Sequence, residues 1–183
     1  MKNNRFPLSF AVITAILFAL ALSRLLPHPM NFSPLAALAM FGGARYSNRW
    51  AAWFIPLFAL WISDLFLNFS FYGSFVPFYQ GALFTYLAFG LIVWIGSRAL
   101  KKLTASKLLL SSLAASMVFF IVSNFGVWLS GTLYPINYQG LISCYTAAIP
   151  FFRNTLTGDL IYSFVVFYGF AYAQSRLPQL KTI

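Results

Sequence analysis

The chain has 183 residues, 61% of them hydrophobic and only 8% charged, where soluble domains carry about 25% charged residues; a water-soluble globule is excluded. Twelve Lys and Arg stand against two acids, Asp64 and Asp159. The basic residues lie between long apolar runs rather than over a polar surface, so they read as membrane topology and argue against nucleic acid as a partner. One cysteine, Cys144, and one histidine, His28, exclude an intramolecular disulfide, a CxxC site and multi-histidine zinc chemistry, and no cofactor or metal is expected.

A helix that crosses about 30 Å of hydrocarbon needs roughly 20 mostly apolar residues. In chain order, helices are expected at about 7–26, 34–46, 50–70, 81–100, 108–129 and 146–173. The first begins with a basic start and contains Ala19-Leu20-Ala21, which also resembles a cleaved signal peptide; its apolar run is longer than a usual signal core and favours a retained helix. Its Ala11, Ala15 and Ala19 form overlapping small-xxx-small steps that let another helix approach closely. The second is too short for an ordinary span, and a short or half-buried helix is expected there. Ser33 is a good N-cap and Pro34 a good first helical residue for it. The sixth carries Arg153 and Asp159 within its apolar run.

Basic residues set orientation because Lys and Arg stay on the cytoplasmic side. In a six-helix threading Lys2, Arg5, Arg45, Arg49, Arg98, Lys101, Lys102, Lys107, Arg176 and Lys181 fall on one side, and Arg24 and Arg153 on the other. The expected fold is therefore an all-α bundle of six transmembrane helices in a single membrane domain over 1–183, with both termini cytoplasmic. Five crossings would break the pattern.

This threading places the loops Pro27 to Ser33, Phe71 to Gln80 and Ser130 to Tyr145 outside. Just beneath them lie Arg24, Asp64, Asn68, Asn124, Arg153 and Asn154, with Asp159 deeper. Charges inside a bilayer are costly, so such residues face the bundle interior, pair, or line a water-filled cavity. Trp61, Asp64 and Asn68 share one face of the third helix, and Phe152, Thr155, Asp159 and Tyr162 one face of the sixth. A mixture of rings and hydrogen-bonding groups is the lining of a small-molecule pocket. The competing reading is structural: Asp64 or Asp159 paired with Arg24 or Arg153, and asparagines that bond between helices. His28 has the chemistry of a pH-sensitive contact or of a passive loop residue. Cys144 suits a soft metal centre in a substrate, or a buried thiol without a role. Asp64 and Asp159 as the acid/base pair of an intramembrane enzyme would have to be brought together by the fold, and a non-enzymatic role is expected.

The strings Leu26-Pro-His-Pro-Met-Asn-Phe-Ser-Pro-Leu-Ala-Ala-Leu-Ala-Met-Phe-Gly-Gly-Ala44 and Gly140-Leu-Ile-Ser-Cys-Tyr-Thr-Ala-Ala-Ile-Pro-Phe-Phe-Arg-Asn-Thr-Leu-Thr-Gly-Asp-Leu160, with Ile62-Ser-Asp-Leu65 between them, resemble a family of small bacterial membrane proteins of unknown function ascribed to transport. That family is similar in topology to the substrate-binding S components of energy-coupling factor (ECF) vitamin transporters. The resemblance implies a six-helix bundle in the bacterial inner membrane, with a site for a small, vitamin-like solute near the outer face under three loops. It makes Ala11, Ala15 and Ala19 a docking ridge for a coupling subunit served by two ATPases. It also implies that Asn31, Asp64, Asn68, Arg153, Asn154 and Asp159 line or brace the pocket, with Asn124 in the same outer layer. No GxxxxGK[ST] string is present, so energy has to come from such partners or, for a solitary carrier, from a gradient. A non-transport scaffold locked by its buried polar residues is the alternative.

Overall fold

The computed structural model describes residues 8–180. They form α1 (Leu8–Ser23), α2 (Leu35–Arg45), α3 (Arg49–Tyr72), α4 (Ala82–Ala99), α5 (Ala105–Leu129) and α6 (Tyr138–Arg176), followed by a short 3-10 turn over Pro178–Leu180. Among the described residues there is no strand. The four helices α3 to α6 are long and apolar enough to cross a membrane, and α1 and α2 are shorter apolar helices.

Helix starts follow the polar residues that can cap them. The Asn48 side chain accepts from Trp50 N at 2.8 Å, Thr104 Oγ1 from Lys107 N at 3.3 Å, and Asn137 Oδ1 from Gly140 N at 2.8 Å, each satisfying an amide that the first turn leaves orphaned. α3 ends on Gly73, whose φ of 64° is the left-handed conformation that closes a helix without a Cβ clash.

Three expectations are corrected. α6 begins at Tyr138 rather than near 146, because Asn137 caps it and Trp128 Nε1 donates to the carbonyls of Pro135 and Asn137 at 3.2 and 3.3 Å, fixing the chain just ahead of the helix. The second half of the stretch expected as a loop to Tyr145 is thus helical, and α6 is about 58 Å long, nearly twice the hydrocarbon thickness. Ser33 makes no capping bond; Pro34 occupies the cap position of α2. Of the two alternatives for α2, short or half-buried, the first holds, at 11 residues, and the second does not: every residue from Leu35 to Gly43 is buried, as befits a helix that is apolar all round.

α2 is the centre of the bundle, packed chiefly on α4 and also on α3, α6 and α1. Glycines let it in. A Cβ on Gly96 would stand 2.3 Å from the Met40 carbonyl oxygen, and one on Gly43 would stand 2.2 Å from that of Val93, so the α2 and α4 backbones nearly touch. Around them Phe41 meets Phe167 and Phe170 edge to face at 5.3 and 5.1 Å.

The long helices turn their oily residues outward and their polar residues inward. Phe54, Phe66, Leu83, Leu87, Trp94, Leu110, Ile121 and Val165 are exposed, while Ser63, Asp64, Asn68, Ser112, Ser116, Thr155, Asp159 and Ser163 are buried. In water such a surface would aggregate. In lipid it is the stable arrangement, because the tails solvate apolar side chains and polar groups must find partners inside.

Candidate functional site

Arg24 lies just beyond α1, in a turn closed by the Leu25 and Leu26 amides bonding to the carbonyls of Leu22 and Ser23. That turn aims its guanidinium at α3, where Nη1 reaches Asp64 Oδ1 at 2.6 Å and Ser63 Oγ at 3.3 Å. Tyr86 of α4 donates its hydroxyl to Asp64 Oδ2 at 2.8 Å. One buried carboxylate therefore ties α3 to α4 and to the end of α1. Both oxygens of Asp64, 3% exposed, are spent on charge-assisted bonds, which is the condition for keeping an ion pair out of water.

The segment between α1 and α2 closes over this network. Phe32 N donates to the Pro29 carbonyl at 3.0 Å, and Asn31 at the turn has a φ of 62°, a left-handed conformation that Asn tolerates. His28 is held by Arg24, whose carbonyl lies 3.0 Å from Nε2. On the far side Asn154 Nδ2 of α6 donates to the Met30 carbonyl at 2.9 Å, and the Phe32 and Tyr162 rings sit 5.5 Å apart. Gly158 lets the segment lie against α6, since a Cβ there would meet Ser33 N at 3.2 Å and Phe32 Cα at 3.3 Å.

Beneath this cover is a cavity of about 510 Å³. Polar groups of Arg24, His28, Asn31, Ser33, Asp64, Tyr79, Thr85, Thr155 and Asp159 face it, and Leu60, Phe71, Phe89 and Phe119 supply apolar wall. Its size and mixture suit a small organic molecule. Burial pushes the Tyr79 phenol above its usual range, so this residue is a neutral hydrogen-bonding group. A larger groove of about 630 Å³ between α3, α4 and α5 is lined by Trp53, Leu87, Phe125 and other apolar side chains and lies open to the outside. With the Tyr86 hydroxyl already committed to Asp64, that groove has nothing to orient a polar solute.

Of the residues singled out from sequence, Asn31, Asp64 and Asp159 line the cavity, and Asn154 braces its cover. Asn68 is buried but spends its amide on the Val76 carbonyl at 2.8 Å, fastening the α3–α4 loop. Asn124 bonds its own helix at the Phe120 carbonyl, and its carbonyl receives the buried Cys144 thiol at 3.4 Å. Arg153 is exposed. Ala11, Ala15 and Ala19 are exposed on the face of α1 opposite the buried Ser9, Ile13, Leu17 and Ala21. Only one of the two conceivable ion pairs forms among the described residues, Arg24 with Asp64; Asp159 instead accepts from Ser116 Oγ at 2.6 Å. Arg24, Tyr79 and Thr85 line the cavity without having been assigned to a solute. An arginine beside a span end is a signal for the first, and no local pattern marks the other two.

No cluster of three or more His, Cys, Asp or Glu occurs among the described residues. No curated protein and no solved structure matches this chain. A family model does match, over residues 4–180, and the chain belongs to that family, described as a family of unknown function, DUF6580.

Proposed function

We propose that this protein is the membrane-embedded capture component of a transport system, taking a small, vitamin-like solute from the outer face of a bacterial inner membrane. The observation that supports this most is the cavity in which the Arg24–Asp64 pair, Asn31, Thr85 and Thr155 stand among aromatic and aliphatic walls. Apolar walls bury the body of a solute, and a few fixed polar groups orient its head.

In this reading α1 and α2 are crossings along with the four longer helices, giving six spans with both termini cytoplasmic and the cavity near the outer face. The basic residues Arg45, Arg49, Arg98, Lys101, Lys102, Lys107 and Arg176 then share the cytoplasmic side. The exposed Ala11, Ala15 and Ala19 offer a flat face on which a coupling subunit with two ATPases would seat, as in ECF transporters. The chain does no chemistry of its own.

One observation favours a second reading, a scaffold. Asp64 bridges two helices and the end of a third, and Asp159 joins α5 to α6, which is what a purely structural lock would do. A thermal-shift screen of metabolites against the full chain in detergent separates the two. A capture protein gains RT ln(1 + [L]/Kd), about 2.7 kcal/mol at a hundredfold excess of solute over Kd, and Asp64→Asn removes the gain. Absence of a shift with every vitamin and small metabolite tried would leave the scaffold.

A further inference from the structure

Helical hydroxyls in this chain follow one habit. Thr14, Ser23, Ser63, Ser123, Thr155 and Thr157 each donate to a carbonyl three or four residues back, the usual way to satisfy a hydroxyl where water is scarce. Ser112 and Ser163 break it. Both are completely buried, and neither Oγ has a hydrogen-bond partner.

Helix register puts the two orphans at the same level of facing helices. The bond from Ser116 Oγ to Asp159 Oδ2 sets the register of α5 against α6, which run antiparallel. One turn from that pair, toward the start of α5 and the end of α6, come Ser112 and Ser163, each at a spacing of four from its bonded neighbour and so on the same helix face. Asp159 is itself 3% exposed and has no basic partner among the described residues. The charged groups that share its cavity, Arg24 and Asp64, are paired with each other; His28 and Tyr79 are the remaining titratable groups there.

An acid without a basic partner and, one turn away on the facing helices, two hydroxyls without partners are all hard oxygen donors. A single charge to neutralise calls for a monovalent ion. Magnesium keeps much of its water shell and calcium takes six to eight oxygens, commonly from several carboxylates. Soft metals need nitrogen or sulfur ligands, and the cluster has none.

We propose that Asp159, Ser112 and Ser163 hold a dehydrated sodium ion between α5 and α6, with Ser116 fixing the carboxylate. Asp159 and Thr155 line the solute cavity, and the ion sits one turn beyond it. The ion site stands on the α5–α6 geometry alone. Its consequence rests on the capture reading: sodium neutralises the unpaired acid under the solute, and the two bind with positive linkage.

The test is thermal unfolding of the full chain in detergent, without solute, in sodium, potassium or choline chloride at constant ionic strength. The expected result is a saturable rise in Tm with sodium, smaller in potassium and absent in choline. Asp159→Asn abolishes the increment, and Ser163→Ala raises the half-saturating sodium concentration severalfold. If Asp159→Asn does not fold, Ser112→Ala and Ser163→Ala decide, and an unchanged sodium response in both overturns the site. Equal Tm in the three salts overturns it as well, as does an increment that survives Asp159→Asn. A Tm that falls with rising pH and ignores sodium gives Asp159 to a proton instead. A sodium response without any metabolite response keeps the ion site and sinks capture; the opposite pattern does the reverse.

Discussion

Asp64 is the residue on which most of the polar network converges. Its two oxygens take Arg24 and Tyr86, so neutralising it strands a half-buried guanidinium, and deleting Arg24 strands a buried carboxylate. Either loss is larger than the net worth of the pair, because the survivor is left with an uncompensated charge. The expected outcome of a double-mutant cycle with Arg24→Gln and Asp64→Asn is a coupling of about 1–3 kcal/mol, the double variant being less damaged than the two single losses together. Thermal unfolding of the four proteins measures it, and additive losses would show that the pair does not act as a unit. At Tyr86 the hydroxyl alone can be removed. Tyr86→Phe should cost about 1.5–3 kcal/mol, the range for a bond to a charged group, read by the same unfolding. A loss below about 0.5 kcal/mol would mean that the Arg24 bond alone satisfies the carboxylate.

The contact between α2 and α4 is the element on which the bundle closes. Gly96 faces the Met40 backbone so closely that even a methyl group has nowhere to go, and backbone, unlike the tip of a side chain, cannot swing aside. Gly96→Ala is expected to part the two helices and cost at least the 1–3 kcal/mol typical of overpacking, with loss of monodisperse protein in size-exclusion chromatography. Gly169→Ala is the control. Nothing lies within 4 Å of its Cβ, so this change should be neutral or, by helix propensity, raise stability by about 0.5–1 kcal/mol. Equal behaviour of the two variants would refute the close approach of α2 and α4. The positions of the long helices were legible in the chain as apolar runs. The early start of α6 was not, because it depends on Trp128 and Asn137 meeting across a loop.

At the scale of the whole molecule the decisive property is an outer surface of aromatic and aliphatic side chains, with the buried hydroxyls, amides and carboxylates gathered inside around an apolar centre. The proposed orientation in the membrane rests on the basic residues and is open to direct test. In a Cys144→Ser background, single cysteines at Met30, Phe75 and Ile136, all exposed, are expected to react with an impermeant thiol reagent from outside intact cells. A cysteine at Lys101 should react only after permeabilisation. The reverse pattern would invert the bundle and move the cavity to the cytoplasmic side.

Sequence by itself determined the all-helical class and the membrane character, and it singled out Asp64 and Asp159 as acids within apolar runs. Each of these is a local quantity, set by the length of an apolar run or by the presence of a charge within it. Tertiary structure decided the partners: that Arg24 pairs with Asp64 while Arg153 stays exposed, that Asn68 and Asn124 spend their amides on backbone carbonyls, and that Ser112 and Ser163 are left without partners beside Asp159. Such choices depend on the rotation of each helix about its axis and on its register against its neighbours. Both are fixed by packing such as that of Gly96 on Met40, which no single segment encodes.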